Sequence, residues 1–229
     1  EAAYLIPGSH RRLGKDGNSY IDDFEGAEIP YDFTRLPNSW KLASTPLLFP
    51  ESNSNNLEFG YNRSRLAWYT IDNVFYRQQG RGKPEHISNE QLANHYVRAV
   101  GFNEVFPNRQ GQAVNFNEFT FDVAYYPTER GPYNYNDNLN EIDPATGDFV
   151  PQVARSKWAG ITRPITFNNN FDAANIEYLE FWLMDPFIQG PNGRVATGTN
   201  GQEGQNNSTG GQLFFNLGDI SEDVLKDGK

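Results

Sequence analysis

Cysteine is absent from the chain, so neither disulfide bonds nor thiolate metal sites can stabilise it. No run of about 18 apolar residues occurs, and no charged start followed by an apolar stretch opens the sequence, so it shows neither a membrane-spanning helix nor a signal peptide. Because Glu1 stands where a methionine would begin a complete chain, the 229 residues read as a fragment of a longer protein or a processed product. Basic residues are scarce: 19 Lys and Arg face 29 Asp and Glu, for a formal charge of -10. That balance disfavours electrostatic capture of nucleic acid or anionic lipid, both of which need clustered cations.

Aromatics are plentiful, with 17 Phe and 12 Tyr beside 21 Gly and 14 Pro. Apolar mass carried by aromatics and broken by turn residues suits short strands better than a helix bundle. Strand-like runs recur as SYIDDFEG, WKLAS, RLAWYTI, FTFDVAYYP, WAGITRPITF, IEYLEFWLM and GQLFFNLGDI. In IEYLEFWLM (176–184) both alternating faces are largely apolar, which predicts a central strand covered on both sides with Trp182 in the core. The expected fold is all-β, a single antiparallel two-sheet β-sandwich over residues 1–229.

One helix is predicted over residues 88–100, where Ser88 and Gln91 form a capping box and Leu92, Tyr96 and Val100 recur at helical spacing. Residues 133–148 and 189–212 lack apolar periodicity and read as surface loops, the second rich in Gly and Asn. The acids of the first, Asp137, Glu141, Asp143 and Asp148, do not follow the EF-hand order, so a solvated acidic loop is the better reading.

YYPTERGPYNY (125–135) follows a strongly apolar strand with Pro127, Gly131 and Pro132 as ladder breakers. Tyr125, Tyr126, Tyr133 and Tyr135 then surround Glu129 and Arg130 in a rigid turn with an aromatic surface. Such a surface can stack on sugar rings or contact a protein, or its tyrosines can simply cover the core. Catalytic templates are missing: His10, His86 and His95 have no zinc-protease spacing, and no nucleophile elbow, Walker or dinucleotide glycine pattern occurs, so no enzyme is expected. The glycosylation patterns NRS at Asn62 and NST at Asn207 read as accidental in an Asn-rich chain.

Taken together, SYIDDFEGAEIPYDF, LAST, RSRLAWYTID, YYPTERGPYNY, NIEYLEFWLMDPF and LFFNLGDISEDVLKDG resemble the SprA/Sov family, giant cell-surface proteins of gliding motility and type IX secretion in Bacteroidetes. The blocks run from Asn18 to Gly228. The resemblance implies a soluble segment of an outer-membrane translocon, located at the outer membrane or cell surface. Its partners would be other segments of the translocon and secretion-system proteins, and no cofactor would be required. A second likeness, of fold alone, is to jelly-roll, galactose-binding-like and carbohydrate-binding modules. It implies an alternative function, a carbohydrate-binding module with a structural Ca²⁺ held by Asp23, Glu25 and Asp219; solvent exposure or pairing with Arg is the other reading of these acids.

Overall fold

The computed structural model describes residues 32–33, 36–76, 85–108, 117–166, 169–172, 176–195, 205–208 and 210–226. The N-terminal YIDDFEG run, with Asp23 and Glu25, lies outside the described residues. The chain divides into two units, one made of residues 1–31 with 165–180 and the other of residues 32–164 with 181–229. In the first, the described residues have no helix or strand, and the Ile176 amide donates to the Phe171 carbonyl at 2.9 Å.

The second unit holds small antiparallel sheets and very short helices, in agreement with the β-rich composition. β1 (Lys41–Leu42) pairs with β4 (Ile161–Thr162). β2 (Ser64–Tyr69) pairs with β3 (Asp122–Arg130), and β5 (Arg194–Val195) pairs with β6 (Gln205–Asn206). Two helices of one turn, α1 (Asn89–Leu92) and α2 (Phe102–Val105), lie between β2 and β3 in sequence.

The β2–β3 ladder runs regularly from Tyr69↔Asp122 to Arg65↔Tyr126, then jumps so that Ser64 faces Arg130. Residues 127–129 therefore form a bulge. Pro127 is tolerated inside the strand because the bulge asks no amide hydrogen of it. The ladder is thus bent at Pro127 rather than ended there, as the sequence suggested. Gly131 closes the strand: a Cβ at this position would collide with the Ser64 carbonyl, so only glycine admits the close backbone approach.

Ser64 ties the sheet to a third segment. Its amide donates to Trp158 O at 2.7 Å and its hydroxyl to Pro127 O at 2.9 Å. Trp158 is buried with Phe59, Val100, Ile142 and Phe149. Phe49 stacks on the Trp158 indole at 5.7 Å and the Arg63 guanidinium lies over it at 5.2 Å.

Two sequence expectations change here. The capping box forms as predicted, with Ser88 Oγ accepting from Gln91 N and Gln91 Oε1 from Ser88 N. The helix nevertheless stops at Leu92, because Asn94 turns its side chain to its own backbone and accepts from Tyr96 N at 3.0 Å. From there Asn94, His95 and Tyr96 bind the 185–194 turn, through bonds to the carbonyls of Arg194, Asp185, Pro186 and Gly193.

The second correction concerns IEYLEFWLM. It has no ladder partner among the described residues, and Trp182 is 75% exposed rather than buried. Alternation showed that both faces are apolar; it carried no information about whether other layers cover them. Phe181 meets Phe215 at 4.7 Å, while Leu183, Leu213, Phe214 and Phe215 remain largely exposed.

Candidate functional site

The sequence-predicted contact residues fall into two groups. Tyr125 donates its hydroxyl to Lys157 O at 2.8 Å, Tyr126 lies under the Arg65 guanidinium at 5.0 Å, and Glu129 pairs with Arg65 at 2.5 Å. These three are committed within the sheet and its neighbour. Arg130 is committed too: its guanidinium donates to the carbonyls of Asn134 at 2.9 Å, Asn136 at 2.8 Å and Gly147 at 3.4 Å. Tyr133 and Tyr135 form the other group, both about half exposed and without a hydroxyl hydrogen bond among the described residues.

What separates the groups is a device the sequence reading passed over. From 134 to 140 asparagine stands at every second position. Asn134 Oδ1 accepts from Asn136 N at 3.0 Å, Asn136 Oδ1 from Asn138 N at 2.9 Å, and Asn138 Oδ1 from Asn140 N at 3.1 Å. Each step is an Asx turn, in which a short side-chain carbonyl replaces a backbone acceptor. The two inner amides reach further: Asn134 Nδ2 donates to Arg63 O at 2.6 Å and Tyr61 O at 3.0 Å, and Asn136 Nδ2 to Glu141 at 3.0 Å. Asn134 and Asn136 are buried. The signal was present in the sequence as a polar period of two, outside a search for apolar periods.

The solvated-loop reading of residues 133–148 therefore holds only for the outer side. Asp137 is exposed, but Glu141 meets the Lys157 ammonium at 2.6 Å, and Lys157 also donates to Asn62 Oδ1 at 2.7 Å. The Lys157 side chain is fully buried and sits over Phe149 at 4.3 Å. That hydrogen bond holds the Glu141 carboxyl below its usual range, against the opposing effect of partial burial. Burial pulls the Arg63 guanidinium down to about 10. Ile142 and Phe149 pair as an isolated antiparallel bridge and carry the end of the loop into the core.

The loop opens on a strained turn. Asn134 N donates to Gly131 O at 3.2 Å around Pro132 and Tyr133, and Tyr133 has φ 59°, the left-handed region. Pro followed by a left-handed residue is the pattern of a turn that normally places Gly or Asn where Tyr133 stands.

The metal hypothesis is not assembled by these residues. Asp219 is exposed, Asp23 and Glu25 lie outside the described residues, and among the described residues no three His, Asp or Glu side chains converge as metal ligands. Asn62 of the NRS pattern spends its amide on Glu51 at 2.8 Å as well as on Lys157, and Ser64 is fully buried, so this folded segment does not present the pattern for glycosylation. No helix among the described residues is long and apolar enough to cross a membrane.

Compared with known proteins, the chain matches no family model and no curated protein.

Proposed function

We propose that the chain is a non-catalytic structural and protein-interaction segment of a type IX translocon of the SprA/Sov kind, working at the outer membrane or cell surface in protein export and gliding. The observation that carries this reading is the ordered set of sequence blocks from Asn18 to Gly228. The extended apolar runs at 181–184 and 211–217 add support, since exposed Trp182, Leu183, Phe214 and Phe215 are expensive to leave in water and suit burial against a neighbour. The two-sheet sandwich belongs to the same reading, with β1–β4 and β2–β3 as parts of its layers. Deleting residues 32–226 in frame from the full-length protein should abolish surface delivery of cargo while the protein still accumulates. Normal delivery by that deletion would end the translocon reading.

The exposed rings of Tyr133 and Tyr135 favour a second reading, a carbohydrate-binding module with structural Ca²⁺ at Asp23, Glu25 and Asp219. Binding on a glycan array, together with a melting temperature that falls on chelation, supports it. Neither response returns the tyrosines and acids to ordinary surface roles.

A further inference from the structure

The Asn ladder does more than order a loop. It buries Asn134 and Asn136 as its inner anchors and leaves Tyr133, Tyr135 and Leu139 exposed, the last 80%, together with Asp137 and the outer asparagines Asn138 and Asn140. The main-chain N–H and C=O groups of Tyr135, Asp137 and Leu139 make no hydrogen bond among the described residues, whereas the carbonyls of Asn134 and Asn136 are held by Arg130. One side of this segment is thus fixed to the molecule, and the other carries unpaired backbone groups at every second residue.

Three features define what could cover that side. Unpaired donors and acceptors at alternate positions are met by the backbone of an extended peptide, which neither lipid nor an apolar helix face can supply. Tyr and Leu offer large contact area at a low entropic cost, because the ladder has already ordered the backbone. Asp137 makes no ion pair among the described residues and calls for a cation opposite it. The strained backbone at Tyr133 points the same way: a glycine would relax the turn, yet the position keeps a ring that is about half exposed.

We propose that the outer edge of residues 133–139 is a docking edge for an extended segment of another protein, which adds as a strand, takes Tyr133, Tyr135 and Leu139 against its apolar side chains, and sets a Lys or Arg against Asp137. The proposal deepens the scaffold reading by naming its contact edge and the chemistry of the partner.

A random peptide display library of about twelve residues, selected on the full 229-residue chain, supplies the probe. Enriched peptides should combine alternating apolar residues with a Lys or Arg. Tyr135→Ala should weaken the best of them about tenfold, as loss of an aromatic anchor does. Asp137→Lys should turn the preference toward Glu and Asp, whereas Glu222→Lys, an equal charge change at another exposed site, should leave it unaltered. Tyr133→Gly should raise the melting temperature and still weaken binding, the separation expected of a residue held for contact rather than for folding. Peptides without a basic preference, recovery undiminished on folded Tyr135→Ala, or a preference untouched by Asp137→Lys would overturn the proposal, as would glycan binding that depends on Tyr135. None of these results bears on the deletion experiment, which tests the translocon reading separately.

Discussion

Lys157 shows how one buried ammonium can hold several chain segments together. Its charge is out of water, so it needs both a counter-ion and neutral acceptors, and it finds Glu141, Asn62 and the face of Phe149. Glu141 is the part of this arrangement that responds to pH. Its carboxyl is held below the ordinary 4.5 in the folded state, so the stability it contributes is present above that value and is lost as pH falls through the lowered folded one. Chemical denaturation between neutral pH and acid should therefore show the wild type losing stability that Glu141→Gln never had. The gap between the two should close in strong acid, and a gap of constant size down to the lowest pH would show that the carboxylate charge is not what Lys157 needs.

At the scale of elements, the Asn ladder behaves as a graded series. Asn134 is buried and satisfies two backbone carbonyls, while Asn140 is exposed and lends the ladder only its amide hydrogen. Asn134→Ala should cost about 1–3 kcal/mol, the penalty for stranding buried acceptors. Asn140→Ala should stay within about 0.5 kcal/mol. Equal effects in thermal or urea unfolding would mean that the loop does not rely on its inner end. The ladder also marks the limit of what the sequence disclosed. Ser88 and Gln91 could be read as a cap because both partners lie within one turn. The end of α1 was hidden by the apolar spacing that continues through Tyr96 and Val100, because Asn94 ends it with a side-chain acceptor for Tyr96 N while its amide nitrogen is anchored on Arg194, far along the chain. The tyrosines of 125–135 were visible as a cluster, but which were free was decided by distant partners such as Lys157 and Arg65.

For the molecule as a whole, the contrast between two tryptophans separates legible from illegible. IEYLEFWLM announced a core strand by alternation, yet Trp182 is mostly exposed; WAGITRPITF was one strand-like run among several, yet Trp158 is among the few buried apolar residues described. Periodicity reports the chemistry of a face, whereas burial depends on which segments arrive to cover it. Trp158→Ala should cost roughly 3–5 kcal/mol, a large part of the stability of an ordinary domain. Trp182→Ala should shift stability by no more than about 0.5 kcal/mol. Calorimetry of the two variants distinguishes them, and a large loss from Trp182→Ala would place the 181–184 run in the core after all.

The junction at Ser64 has a consequence for the order in which the chain can fold. Residues 62–64 meet partners that the ribosome delivers much later: Lys157, 95 positions beyond Asn62, and Pro127, 63 positions beyond Ser64. Until both segments exist, the buried polar groups of this stretch have only water to bind. Contacts of such sequence separation close slowly, because loop entropy is lost before they form. A nascent chain halted before residue 157 should therefore stay open at its centre, dependent on its last third to become resistant to proteolysis.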